Sequence, residues 1–161
     1  MRKEELHAKL VDLPELAVIG KQGLCTPESN QANALWACAT AHFDEIAALG
    51  MRERDGAYTG YWGAMSDEGL SFLPWTQGYR RGLYLAGLEV NRQATPPDGW
   101  TKWVMPARRY LAVDVQPERH DETFSYTLGH LLPEMGLRLC GAACDYIKPS
   151  TGARQLFFPV E

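Results

Sequence analysis

The chain has 161 residues and a net charge of −4 at pH 7, so its overall charge gives nucleic-acid phosphates no broad reason to bind. No apolar stretch approaches the roughly 20 residues that span a bilayer. Residues 1–5 are charged and lack the apolar core of a signal peptide. We therefore expect a cytoplasmic protein that contacts neither nucleic acid directly nor a membrane.

Cysteine and histidine spacing argues against a disulfide framework and against a metal site. The four cysteines are scattered, which is typical of reduced thiols in a cytoplasmic chain. Cys140 and Cys144 would need two more ligands from distant histidines, and the four histidines show no paired ligand spacing. We expect neither a metal nor a cofactor.

The two halves of the chain carry the same order of features. Residues 13–50 contain a proline, a short apolar run, a polar break, an amphipathic helix and a glycine, and residues 105–136 repeat that order. Two strand-like runs follow in each half. The pattern predicts one domain over residues 1–161, with a strand-helix-strand-strand unit repeated over approximately residues 5–92 and 100–161. The seam between two similar walls is a natural place for a ligand.

The first half predicts an edge strand over residues 6–11 and a helix that begins after turn residues 26–30 and ends at Gly50. A strand over residues 58–65 contains Gly60 and Gly63, which weaken it unless another group packs closely there. The strand over residues 83–90 places Tyr84 on one face and Glu89 on the other. The apolar stripe of the helix has spacings of three and four residues. Its members are Ala32, Leu35, Trp36, Ala39, Phe43 and Ile46.

The second half begins after a proline-rich linker over residues 93–99. A strand over residues 110–113 precedes a helix that Asp121 is placed to cap and that Pro133 should shorten or bend. Two closing strands are predicted over residues 146–148 and 155–160. The apolar stripe of this helix consists of Phe124, Leu128, Leu131, Leu132 and Met135.

Aromatic residues accumulate in the middle of the chain. Flat aromatic walls suit planar apolar ligands, and a carboxylate among them favours a cation. Glu89 is the leading candidate for that carboxylate. Aromatic residues at alternating strand positions are also ordinary core residues, and a glutamate near a strand end is usually solvated, so a purely structural role stays open. The cluster consists of Tyr58, Tyr61, Trp62, Phe72, Trp75, Tyr79, Tyr84, Trp100 and Trp103.

Four segments, taken in their order and spacing, resemble the GyrI-like (gyrase-inhibitor-like) small-molecule-binding family, and the resemblance covers nearly the whole chain. This family includes the effector-binding domains of multidrug-sensing AraC-type and MerR-type transcription regulators. The segments are residues 84–90 (YLAGLEV), 105–110 (MPARRY), 131–136 (LLPEMG) and 156–160 (LFFPV).

The resemblance implies an α+β domain with a pseudo-twofold antiparallel sheet, two helices and a central groove that takes up bulky, often cationic compounds. Family members commonly place an acidic residue at the start of the final strand, where this chain has Gln155, so Glu89 has to supply the negative charge. No helix-turn-helix segment is identified, which suggests a stand-alone module. The expected ligand-binding residues are Trp36, Tyr61, Trp62, Trp75, Tyr84, Glu89, Trp103, Tyr126, Tyr146, Gln155 and Phe157.

Three functions remain open from the sequence. Binding of a small hydrophobic or cationic organic ligand is favoured, because it needs only the groove and explains the aromatic residues, the glycines and Glu89. Some stand-alone relatives open the cyclopropane ring of DNA-alkylating natural products; in such a cyclopropanoid hydrolase Glu89 would be the general base, with Tyr61 or Tyr146 orienting water or donating to the developing phenolate. A protein-interaction module, such as a gyrase inhibitor, would instead use its outer surface for a protein partner.

Overall fold

The structure is a computed structural model that describes residues 6–161. Residues 1–5, on which the expected absence of a signal peptide rests, lie outside the described part. One antiparallel sheet of eight strands contains strands from both halves of the chain. The strands are β1 (Ala8–Leu13), β2 (Leu16–Cys25), β3 (Tyr61–Ser66), β4 (Gly82–Val90), β5 (Thr101–Met105), β6 (Arg108–Asp114), β7 (Cys144–Ile147) and β8 (Arg154–Pro159). The helices are α1 (Ala32–Ala41), α2 (Thr76–Tyr79), α3 (His120–Tyr126) and α4 (Leu132–Glu134).

The strand order shows the duplication directly. The order across the sheet is β1-β6-β8-β7-β3-β4-β2-β5. If β1, β2, β3 and β4 are exchanged with β5, β6, β7 and β8, respectively, the same order is obtained in reverse. This symmetry indicates a pseudo-twofold axis between β3 and β7. These two strands pair over three positions, from Tyr61↔Ile147 to Gly63↔Asp145. The predicted α+β fold, with its repeated strand-helix-strand-strand unit, is confirmed.

The two faces of the sheet bury different sets of side chains. On the helix face, α1 packs its apolar residues against β2 and β4, and Tyr84 is buried in that cluster. Phe124 of α3 packs on the same face against β6 and β8. The opposite face, called here the groove face, buries Trp62 and Phe157 in a separate cluster. The alternation of period two predicted for residues 83–90 therefore separates Tyr84 from Glu89 as expected.

Both helical regions are less regular than the sequence predicts. In the first half α1 ends at Ala41, and two 3₁₀ turns, Phe43–Glu45 and Ala47–Leu49, continue the path to Gly50. In the second half a π-helical turn, Thr127–Leu131, separates α3 from α4 directly before Pro133. Pro133 has no backbone N–H for the carbonyl four residues earlier, and a widened turn accommodates that loss. No helix in the described residues 6–161 is long and apolar enough to cross a membrane.

Local boundaries also differ from the predictions. The first edge strand begins at Ala8 rather than at residue 6, and β3 begins at Tyr61, because residues 51–60 form turns and isolated bridges. Asp121 does not cap the second helix; it lies in the first turn of α3, which begins at His120. In the first half Asn30 does perform a capping contact, since its Oδ1 accepts the backbone N–H of Ala32 at 3.0 Å.

The two glycines of the third strand region have close neighbours, as predicted. A Cβ added at Gly63 would collide with the hydroxyl of Tyr84, and one added at Gly60 would collide with the ring of Tyr146. Two tyrosines on opposite faces of the sheet therefore occupy space that a side chain on these residues would fill. This explains why the strand tolerates residues with low strand propensity.

Candidate functional site

A cavity of about 500 Å³ lies on the groove face at the seam between the two halves, and we call it the groove cavity. Such a volume is typical of small-molecule sites. Its apolar lining includes Trp62, Ala112 and Phe157, which are 2%, 1% and 6% exposed. The half-buried side chains of Glu89 and Tyr146 add polar groups to the same lining. The predicted central groove therefore exists as a cavity with an apolar floor.

Three aromatic rings from three different strands form one continuous wall. The ring centroids of Trp62 and Tyr146 lie 4.7 Å apart, those of Trp62 and Phe157 lie 5.2 Å apart, and those of Tyr146 and Phe157 lie 5.3 Å apart. Their planes are tilted or edge to face, an arrangement that aromatic pairs favour. Because β3, β7 and β8 each supply one ring, both halves of the chain are needed to build the wall.

Glu89 is the carboxylate of this wall. The indole N–H of Trp62 donates a hydrogen bond of 2.8 Å to its Oε1. Burial raises the pKa of Glu89 above its ordinary value, the hydrogen bond from Trp62 lowers it, and the nearby negative charge of Glu53 raises it further. Burial thus disfavours the ionised form of Glu89, and a cation beside the carboxylate would favour it.

Tyr146 is held in place by a backbone contact. Its hydroxyl donates to the carbonyl oxygen of Thr59 at 2.8 Å. Burial raises the pKa of Tyr146 to about 12, and the charges of Glu89 and Glu53 add to that rise. The phenol therefore stays protonated at neutral pH, with its proton directed to Thr59 and its oxygen left as an acceptor.

The rim of the groove cavity carries charges of both signs. Glu15 and Arg92 form an exposed ion pair at 3.2 Å, and Lys9, Glu53 and Lys148 are also exposed. Solvent screens exposed charges strongly, whereas the carboxylate of Glu89 is largely removed from solvent and is therefore screened less. The charge that a bound ligand would sense most is therefore that of Glu89.

Gln155 is anchored at the edge of the same cavity. Its Nε2 donates to Oδ1 of Asp114 on the neighbouring strand at 2.9 Å. The amide proton is thus directed at a carboxylate, and the amide oxygen remains as an acceptor. Gln155 adds no charge of its own to the cavity.

Five of the eleven expected ligand-binding residues meet in the groove cavity. Trp103 also lies on the groove face but away from the cavity, where its ring packs edge to face on Phe72. Tyr126 lies on α3 beside His130 and lines neither large cavity. The five residues are Trp62, Glu89, Tyr146, Gln155 and Phe157.

The remaining four expected residues lie on the helix face. Trp36, Trp75 and Tyr84 line a second cavity there, and Tyr61 packs with its ring centroid 6.2 Å from that of Phe43. Tyr61, Trp36, Trp75 and Tyr84 are therefore separated from Glu89 by the sheet.

Sequence reasoning did not select the charged rim of the groove cavity. Arg92 follows Glu89 by three residues, so its position near the end of β4 was a usable signal. Glu53 lies in a turn region, and Lys9 lies on an edge strand that pairs with β6 of the other half. Only the tertiary packing brings Glu53 and Lys9 to the cavity.

Comparison with known proteins finds no matching family model and no matching curated protein. Among solved structures, the EcmrR C-terminal domain is similar with a TM-score of 0.59 and 13% identity, over 97% of this chain and 98% of that one. The chain has the GyrI-like fold. SAV2435 bound to tetraphenylphosphonium matches with a TM-score of 0.66 and 10% identity, over 96% of this chain and 94% of that one.

EcmrR in a DNA complex is also similar, with a TM-score of 0.65 and 13% identity. That match covers 97% of this chain, but this chain spans 57% of the length of EcmrR. At such identities the GyrI-like fold is shared, while the roles of individual residues have to be argued from this chain itself.

Proposed function

We propose that this protein binds a bulky, partly aromatic organic molecule in the groove cavity and prefers a cation there. One observation carries the proposal. Glu89 is a largely buried carboxylate with a raised pKa, a hydrogen bond from Trp62 fixes its position, and it lies in a cavity lined by three aromatic rings. The aromatic wall favours flat or branched apolar groups, and Glu89 favours positive charge among them.

Solved structures that share the GyrI-like fold support the same proposal. SAV2435, which shares this fold, is described with tetraphenylphosphonium, a bulky aromatic cation. The EcmrR C-terminal domain, which also shares this fold, belongs to a protein that has been solved in complex with DNA. We propose that this chain serves as an effector-binding unit, with the groove cavity as its ligand site.

The test uses two probes of nearly equal shape and opposite charge, tetraphenylphosphonium and tetraphenylborate. Isothermal titration of the purified chain at pH 7.5 should show tighter binding of the phosphonium by about tenfold, since a shielded carboxylate is worth on the order of 1–2 kcal/mol to a cation among aromatic rings. The Glu89→Gln variant should lose most of that preference while it still binds both probes.

The matched control is Glu28→Gln, which removes the same charge from an exposed residue outside the groove cavity. It should leave both affinities unchanged. Equal affinity of the wild-type protein for the two probes, or no binding of either, would contradict the proposal. Either result would favour a function in which the protein binds a neutral ligand or a protein partner.

Hydrolysis is a second candidate, because the raised pKa of Glu89 also suits a general base. In that reaction Glu89 takes a proton from water, the water oxygen bonds to a cyclopropane carbon, and the broken C–C bond leaves its electrons on a phenolate. The geometry favours this candidate less than binding. Tyr61 is on the other face of the sheet, and the proton of Tyr146 is directed at Thr59, so neither hydroxyl is aimed as a donor at the phenolate.

A spirocyclopropane alkylating agent separates the two functions. If the protein only binds such a compound, chromatography of the reaction with wild-type protein should show ring-opened product forming no faster than it does in buffer. Turnover that Glu89→Gln lowers by about 10²-fold or more, and that Tyr146→Phe also lowers, would assign hydrolysis to the groove cavity instead.

A further inference from the structure

A second cavity of about 750 Å³ lies on the helix face between α1 and α3, and we call it the helix-face cavity. Six of the residues that line it carry phenyl, phenol or indole rings: Trp36, Trp75, Tyr79, Tyr84, Phe124 and Tyr146. Tyr79 and Phe124 meet edge to face with centroids 5.9 Å apart, so a segment of the first half touches a helix of the second half. Like the groove cavity, this space is bounded by flat aromatic surfaces from both halves.

A chain of hydrogen bonds fixes the polar part of the helix-face cavity. The indole N–H of Trp36 donates to the hydroxyl of Tyr84 at 2.8 Å, and that hydroxyl donates to Oδ2 of Asp145 at 2.9 Å. Nε2 of His120 lies 2.8 Å from Oδ1 of the same carboxylate. The chain joins α1, β4, β7 and α3, so these groups hold fixed positions before any ligand arrives.

The charges around the helix-face cavity are predominantly negative. His120 lies between two carboxylates, with Asp145 at 2.8 Å and Asp121 at 3.2 Å. Glu118 adds a further carboxylate, and Arg154 is the other basic residue of the lining. The remaining carboxylate of the lining, Glu122, is paired with Arg119 at 3.2 Å. An excess of negative charge beside aromatic walls favours an organic cation over a neutral or anionic molecule of the same shape.

We propose that the helix-face cavity is a second ligand site and that it takes a flat aromatic cation. The proposal is independent of the function proposed for the groove cavity. The two cavities approach each other at Tyr146 and Gln155, which line both. They still differ in their carboxylates, since Glu89 lines the groove cavity and Asp121 lines the helix-face cavity.

The test uses three probes with the same fused rings: N-methylacridinium, acridine and acridine-9-carboxylate. Titration of the full chain at pH 7.5 should show the tightest binding for N-methylacridinium. The double variant Glu118→Gln, Asp121→Asn should weaken N-methylacridinium roughly fivefold, because it removes two exposed carboxylates near the ligand. His120→Gln should strengthen it roughly threefold, because it removes the positive charge beside Asp145.

Glu28→Gln is the matched control: it removes an exposed carboxylate that lines neither cavity, and it should leave the N-methylacridinium affinity unchanged. Asp121 and Glu118 are exposed, so the double variant should fold, and circular dichroism would verify this. Binding that falls in Glu89→Gln and stays constant in the double variant would place the probe in the groove cavity and overturn the proposal. Equal affinity for the three probes, or no binding of N-methylacridinium, would overturn it as well.

Discussion

The indole nitrogen Nε1 of Trp62 lies 2.8 Å from Oε1 of Glu89 and donates a hydrogen bond to it. This bond fixes the carboxylate of the groove cavity to a side chain that is almost fully buried, with 2% of its surface exposed. Trp62 on β3 pairs with Gly87 on β4, so Glu89 lies diagonally across the strand pair. The hydrogen bond partly offsets the cost of burying the carboxylate, and the pKa of Glu89 nevertheless stays raised. The folded state therefore gives up stability to hold a charge in this cavity, which is common at functional sites.

Glu89→Gln should make the protein more stable at neutral pH. Because the folded-state pKa of Glu89 is raised, its favourable contribution is present below the unfolded pKa and is lost as pH rises through the folded pKa. Urea denaturation should show the variant about 0.5–2 kcal/mol more stable at pH 7.5, a typical gain on relieving such a site. The difference should shrink at pH 4. A variant less stable than wild type at pH 7.5 would mean that the buried charge of Glu89 does not destabilise the folded state.

The ion pair of His120 and Asp145 should make stability fall at alkaline pH. The hydrogen bond that His120 donates to Asp145 raises the pKa of His120 from 6.5 to about 9, burial opposes this rise, and the charges of Asp145 and Asp121 add to it. This contribution is full below about pH 6.5 and is lost as pH rises through about 9. The shift corresponds to about 3 kcal/mol at most, and screening of a side chain that is 39% exposed reduces this to about 1 kcal/mol.

The measurement is the free energy of unfolding between pH 6 and pH 10 for wild type and for His120→Gln. Wild type should lose its advantage over the variant across that interval. Parallel curves for the two proteins would show that His120 titrates in the folded state as it does in the unfolded chain.

The close contact between Gly63 and Tyr84 gives a prediction that a double-mutant cycle can check. Gly63→Ala would drive a methyl group into the Tyr84 hydroxyl and should cost about 1–3 kcal/mol. Tyr84→Phe should also cost about 1–3 kcal/mol, since Trp36 and Asp145 then lose a partner. The double variant should be more stable than the sum of the two costs allows, because the nearest colliding atom, the Tyr84 hydroxyl oxygen, is removed and only the ring carbon Cζ remains, 2.6 Å from the added Cβ. Strict additivity would show that the alanine methyl collides with something else.

Regular alternation explains the part of this fold that could be predicted. Residues 83–90 alternate cleanly, so the assignment of Tyr84 and Glu89 to opposite faces needed only the period of a strand. The duplication was visible because each repeat places its proline, apolar run, helix and glycine in the same order. The glycines at 60 and 63 signalled close packing, although the identity of the packed tyrosines was hidden in the sequence.

The composition of the site could be predicted only in part, because aromatic residues lie on both faces of the sheet. Tyr61 and Trp62 are adjacent in β3, so they must point to opposite faces, and nothing local shows which one meets Glu89. Tyr146 reaches Trp62 through the register Trp62↔Tyr146, a pairing between strands more than 80 residues apart in the chain. Such long-range register depends on the packing of both halves together.

Gln155→Glu tests whether the groove cavity can gain charge at the start of the final strand. By itself the new carboxylate would face Oδ1 of Asp114, which now accepts the Gln155 amide at 2.9 Å, so we expect a loss of about 0.5–1 kcal/mol in stability. Adding Asp114→Asn supplies a donor on the partner strand and should restore that stability. The double variant should then bind tetraphenylphosphonium about fivefold to tenfold more tightly than wild type, since the substitution adds a carboxylate to the lining of the cavity. Calorimetry on the four proteins of this cycle measures both quantities. Unchanged affinity in a stable double variant would show that a ligand in the groove cavity lies against Glu89 and Trp62 and does not reach the residue at position 155.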